Sequence, residues 1–157
     1  MKKITLIAFF AIILFSSKGQ NFVWAKTFGN SADESAEAIT TDLSANVITV
    51  GTFSGTVDFD PSGSVANLTA TGTSQDIYIS KLNSAGAYVW AKKIGNASGE
   101  RINDVVTDAS GNIYITGAYI GTVDFDPSAT TVNLVSNASS SDIFIAKYNS
   151  LGALVWA

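Results

Sequence analysis

Gly55-Thr56-Val57-Asp58-Phe59-Asp60-Pro61-Ser62 and Gly121-Thr122-Val123-Asp124-Phe125-Asp126-Pro127-Ser128 are the same eight residues, 66 positions apart. Outward from them the identity continues. Val23-Trp24-Ala25-Lys26 returns as Val89-Trp90-Ala91-Lys92 and again as Val155-Trp156-Ala157, at the same spacing. Between Trp24 and Val89, 31 of 66 positions are identical in the next copy without a gap. A fixed period of this length marks a repeat architecture, in which one unit cannot bury its own apolar face and neighbouring units stack.

Within a unit the pattern is β throughout: short runs rich in Val, Ile, Thr, Tyr and Phe, separated by Gly, Asn, Ser and Asp clusters. The second copy reads as strands over 102–107, 112–119, 142–147 and 153–157. Turns fall at 108–112 and 149–152, with first-copy equivalents at 42–46 and 83–86. The strands over 112–116 and 142–146 are apolar on consecutive residues, so they need cover on both faces. In an antiparallel all-β protein, small sheets stacked like the blades of a propeller supply that cover. The expected fold is therefore an all-β β-propeller fragment of two four-stranded antiparallel blades. The blades occupy 36–95 and 102–157, preceded by an orphan outer strand at 22–28. The segments 55–72 and 121–138 are longer than a hairpin turn needs and are expected to form projecting hairpins or extended loops, where recognition usually sits.

Asp142-Ile-Phe-Ile-Ala-Lys-Tyr-Asn149 with Gly152 and Trp156, together with Asp108-Ala-Ser-Gly-Asn-Ile-Tyr-Ile-Thr-Gly117, resembles the bacterial SBBP-type β-propeller repeat. Asp76-Ile-Tyr-Ile-Ser-Lys81 and Trp90 carry the likeness in the first copy, and it covers residues 22–157. The first copy departs from it in having Ala45 where the second has Gly111, which weakens that turn. The resemblance implies a propeller, often of seven blades, in a secreted or cell-surface protein.

Lys2 and Lys3, the apolar run 4–15 and the small residues Ser16, Ser17 and Gly19 have the three parts of a secretory leader, with cleavage expected between Gly19 and Gln20. The run is too short for a membrane span, and no second one follows. Removing Lys2, Lys3 and Lys18 leaves six basic residues against thirteen acidic ones, a net charge of −7. That charge disfavours nucleic acid as a partner. There is no cysteine to staple the fold and no histidine to serve as general base, nucleophile partner or zinc ligand. The expected location is outside the cell or at its surface.

Propellers close with about four to eight blades, so two blades that stop inside a strand read as part of a longer protein whose other blades are missing. Exposed blade faces then carry a liability to association.

Four carboxylates are the candidate chemistry. Asp58 with Asp60 and Asp124 with Asp126 lie at i and i+2, on one side of a strand, a disposition that suits calcium. Turn capping is the alternative. A glycosidase acid and base would need the pair once, not in every blade, so no catalytic residues are assigned. Phe53 and Tyr119, beside the long loops, are candidate contact aromatics for a glycan or protein ligand. Trp24, Trp90 and Trp156 are assigned to packing between blades rather than sugar stacking, and Lys81 and Lys147 to the surface. Asn67, Asn96 and Asn137 fit the N-glycosylation pattern by coincidence.

Overall fold

In the computed structural model, which describes residues 22–137 and 140–157, all regular structure is β. The expected leader at 1–19 lies outside the described residues. The first unit contains β1 (Glu34–Thr41), β2 (Val47–Phe53), β3 (Thr56–Asp58), β4 (Asn67–Thr69), β5 (Asp76–Leu82) and β6 (Tyr88–Ile94). The second contains β7 (Arg101–Thr107), β8 (Ile113–Tyr119), β9 (Thr122–Asp124), β10 (Asn133–Val135), β11 (Asp142–Tyr148) and β12 (Leu154–Trp156). Each unit makes one four-stranded antiparallel sheet, in the order β1-β2-β5-β6 and β7-β8-β11-β12, and one small hairpin, β3-β4 or β9-β10. Among the described residues no helix is long and apolar enough to cross a membrane.

Local chemistry sets these boundaries. All four tight turns open with a residue whose side chain accepts two backbone N–H groups. Asp42 takes those of Ser44 and Asn46, Asn83 those of Ala85 and Ala87, Asp108 those of Ser110 and Asn112, and Asn149 those of Leu151 and Ala153. Such side chains mimic a backbone turn and so end each strand on a fixed residue. The edge strands β1 and β7 each carry a bulge, between Ala36 and Ala38 and between Ile102 and Asp104. Opposite them stand Gly51 and Gly117, where an added Cβ would lie 1.8 Å from the Ser35 carbonyl oxygen and 2.0 Å from that of Arg101. The bulge closes only over glycine.

The sheets stack face to face. From the rear of the first blade, Ile48, Val50, Ile77, Ile79 and Ile94 meet Ile102, Val105, Ile113 and Ile115 on the front of the second, in one fully buried cluster. β5 is buried at every residue, so its Ile77-Tyr78-Ile79 run is covered on both faces, whereas the runs at 112–116 and 142–146, expected to be covered on both faces, are buried on one side and leave Ile143 and Ile145 exposed on the other. Lys81, expected at the surface, sits in this interface instead. Its Nζ is 2.9 Å from Asp42 Oδ2 and donates to the Ser150 carbonyl of the second blade at 3.3 Å. Burial pulls the Asp42 carboxyl upward, but hydrogen bonds from Asn46 and Lys81 outweigh it and hold the group at about 2. Lys147, the same position one unit on, is partly exposed, 3.8 Å from Asp108 Oδ2 and over the Tyr114 ring.

Two further expectations need correction. Residues 22–28 have no ladder partner among the described residues and form no strand, because a strand needs a neighbour to take its backbone hydrogen bonds. They lie instead against the front of the first blade, with Trp24 Nε1 donating to the Ser84 carbonyl and Phe28 stacked 5.6 Å from Phe59. The hairpins β3-β4 and β9-β10 do not project. Val57, Phe59, Val123 and Phe125 alternate with aspartates, so one side of each hairpin is apolar and folds down onto the blade front.

Ala45 is a non-glycine residue at positive φ, 57°, where Gly111 of the second copy has 75°. Ala45→Gly is expected to raise stability by about 1 kcal/mol and Gly111→Ala to lower it by about as much, since a Cβ in this region costs roughly 1–2 kcal/mol. Denaturant midpoints of the two variants moving in the same direction would refute the turn assignment. Lys81→Met strands Asp42 in the blade interface and is expected to cost about 3 kcal/mol, whereas Lys147→Met has a much smaller effect. Equal losses from the two would place Lys81 outside the interface.

Candidate functional site

The aspartates of the repeated octapeptide close their own loop. Asp58 Oδ1 accepts the N–H groups of Asp60 at 3.0 Å and Ala66 at 2.8 Å, and Asp60 Oδ1 accepts that of Ser62 at 2.9 Å. In the second copy Asp124 Oδ1 accepts from Asp126 at 3.0 Å and Val132 at 2.9 Å, and Asp126 Oδ1 from Ser128 at 2.9 Å. The Ala66 and Asp60 N–H groups lower the pKa of the Asp58 carboxyl below the usual carboxylate value. Calcium takes six to eight oxygens. Here one oxygen of each carboxylate is already taken by the backbone, and among the described residues no three His, Cys, Asp or Glu side chains are placed to hold a metal ion together. The geometry accounts for both pairs as staples across the hairpin end.

Phe53 and Tyr119 are not contact aromatics on a loop. Each lies on the blade front beneath its hairpin: Phe53 is 5.5 Å from Phe59 and 6.4 Å from Tyr78, and Tyr119 is 5.6 Å from Phe125 and 6.4 Å from Phe144. Both are buried because the hairpins fold over them. Tyr148 locks the second hairpin in place by donating its hydroxyl to the Phe125 carbonyl at 2.8 Å, a bond Leu82 cannot make in the first blade.

The junctions between units carry polar chemistry. Asn30 Nδ2 donates to the carbonyls of Ser54 and Thr56, and Asn96 Nδ2 to those of Ile120 and Thr122. Each asparagine thus clamps the linker to the root of the following hairpin, and the Asn96 amide is committed to that clamp. The tryptophans do the same at the opposite ends of the strands, Trp24 on Ser84 and Trp90 on Ser150, both 60 residues ahead. Repetition of Gly-Asn at 29–30 and 95–96, with Glu34 and Glu100 after them, was the available signal for these clamps.

Glu100 is the most perturbed group at the junction. It is buried beside Asp76, which Lys93 Nζ contacts at 3.1 Å. An added Cβ on Gly95 would come within 2.6 Å of Asp76 Oδ1 and 2.7 Å of Glu100 Oε2, so both carboxylates crowd the same backbone. Burial pushes Glu100 up to about 7, and the charge of Asp76 adds to it, against the Asn96 N–H and Lys93.

Three clefts border these features. One of about 370 Å³ lies on the front of the first blade, lined by Trp24, Phe28, Ile39, Val47 and Thr49 among others. One of about 440 Å³ at the linker end includes Asp33, Glu34, Glu37, Glu100 and Arg101. One of about 430 Å³ between the blades brings Lys92 and Lys93 opposite Asp124 and Asp126.

No protein-family model matches the chain. It is similar to an uncharacterized WD repeat-containing protein of Acanthamoeba polyphaga mimivirus, at 34% identity over 127 residues; the match takes in 76% of this chain and 9% of that protein. The chain therefore spans a small part of the relative's length. Two four-stranded antiparallel sheets at a 66-residue repeat, with this likeness, make the chain a pair of β-propeller blades.

With its pKa in the folded state near 7 against an ordinary 4.5, Glu100 contributes stability that is complete below pH 4.5 and lost as pH rises through about 7. The melting temperature is expected to fall between pH 5 and pH 8, and Glu100→Gln to flatten that slope. An unchanged slope in the variant would assign the pH dependence elsewhere.

Proposed function

We propose that this chain is a non-enzymatic β-propeller repeat module that binds a protein partner, within a secreted bacterial protein of the SBBP type working at or outside the cell surface. One observation carries the non-enzymatic reading: the charged motif present in both units is spent on closing its own hairpins. There is no histidine or cysteine to take over acid-base or nucleophilic work.

A protein partner is favoured over a glycan because most of the aromatic side chains in position to stack on sugar rings are used inside, Trp156 and Phe22 being the exposed exceptions. Phe53 and Tyr119 are buried, and Trp24 and Trp90 hold turns of the following blade. Similarity to a WD repeat-containing protein supports an interaction scaffold, with fold a weaker warrant than site. The secreted location rests on the leader pattern at 1–19 and on the likeness of 142–149 and 108–117 to SBBP repeats.

Expressed with its own leader in a bacterial host, the protein is expected outside the cytoplasm with Gln20 as its first residue, read by mass spectrometry. Incubation with soluble polysaccharides is expected to release no new reducing ends. An uncleaved cytoplasmic product would end the secretion reading, and reducing-end release would end the non-enzymatic one.

A further inference from the structure

Asp76 and Glu100 each have one carboxylate oxygen that the fold buries without a hydrogen-bond partner, Asp76 Oδ1 and Glu100 Oε2. The residues are 0% and 3% exposed. Their other oxygens are held: Asp76 Oδ2 accepts the Thr71 N–H at 2.8 Å, and Glu100 Oε1 accepts that of Asn96 at 3.2 Å. Both free oxygens stand over the bare α-carbon of Gly95. Buried oxygens left unpaired are costly, and two at one spot call for a reason.

An amine completes the group. Lys93 Nζ, on β6, lies 3.1 Å from Asp76 Oδ2 at the start of β5 and also donates to Thr71 Oγ1 at 2.7 Å. Both carboxylates recur in the repeat, as Glu34 and Asp142, and Asp142 Oδ2 accepts the Asn137 N–H just as Asp76 Oδ2 accepts that of Thr71. The amine does not recur, because Thr27 stands one period before Lys93. The carboxylates belong to the architecture, and Lys93 is an addition to it.

We propose that Lys93 and Asp76 condense into an amide that joins β6 to β5, with Glu100 relaying protons. The structure shows the reactants. Lys93 Nζ gives up a proton and attacks Asp76 Cγ as the free amine, so the Nζ–Cγ bond forms and the Cγ–Oδ1 bond breaks. Oδ2 remains as the amide oxygen, and the Thr71 N–H already bonded to it stabilises the negative charge it gathers in the tetrahedral intermediate. Oδ1, which nothing in the fold holds, is the oxygen that leaves. Glu100 gives Oδ1 a proton and regains one from the nitrogen, twice over, so the two protons lost by the ammonium depart with Oδ1 as one water. Burial pushes the Glu100 carboxyl up to about 7, where it both gives and takes a proton in neutral solution. Paired strands hold amine and carboxyl together, so no encounter has to be awaited. The bond fastens the outer strand of the first blade covalently, in a chain with no cysteine for that task.

Intact-mass spectrometry on the purified chain tests this. Wild type is expected to be one water lighter than its sequence, with a peptide containing Asp76 joined to one containing Lys93 after proteolysis. Lys93→Arg keeps the positive charge without the reactive amine and is expected at full mass. Glu100→Gln has no proton to relay and is also expected at full mass, with a circular dichroism spectrum like that of wild type. A wild-type chain at full mass, a water lost elsewhere than between residues 76 and 93, or the same loss in either variant would each overturn the proposal.

Discussion

The contact of one blade's rear with the next blade's front supports the rest of the molecule. Each sheet has four strands, and a sheet of that size has apolar side chains on both faces with nothing inside itself to cover them. Covering Ile48, Val50, Ile77 and Ile79 with Ile102, Val105, Ile113 and Ile115 removes eight aliphatic side chains from water at once. Each such burial stabilises by about 1.5–3 kcal/mol before the entropy of ordering is counted. Packing is the main source of stability here because the chain has no disulfide to add.

Apolar contact holds the blades together but does not orient them, since hydrophobic burial has no direction. Orientation comes from a few polar side chains that cross between units: the amides of Asn30 and Asn96, the indoles of Trp24 and Trp90, and the Lys81 ammonium. Each reaches a backbone carbonyl of the following unit, where an unpaired group would be costly to bury. The asparagine and tryptophan contacts recur at the repeat spacing, so the segment before the first blade and the junction between the blades are fastened in the same way.

This economy bears on function. Polar groups that recur in both units are used to build the units, and the copies differ at positions those contacts do not use. Ser-Val-Ala at 64–66 becomes Thr-Thr-Val at 130–132, and Ala-Asp at 32–33 becomes Ser-Gly at 98–99. These changes lie on hairpin ends and linkers, held by rigid sheets, an arrangement suited to displaying variable loops.

The sequence alone determined the period, the β character, the turns and the stacking of sheets, because these follow from local residue chemistry and from apolar residues on both faces of the central strands. The tight turns at 42–46, 83–86, 108–112 and 149–152 stand where Gly, Asn and Asp place them. Only the tertiary structure decided which of two equivalent residues is inside. Phe53 and Tyr119 border long loops in the sequence yet lie under hairpins that fold back, and Lys81 and Lys147 are identical in type but unlike in burial. Burial depends on what packs against a residue: Phe59 and Phe125, on hairpins that fold back, cover Phe53 and Tyr119, and the turn at Ser150, 69 positions on, meets Lys81. Residue type and spacing carry no record of it.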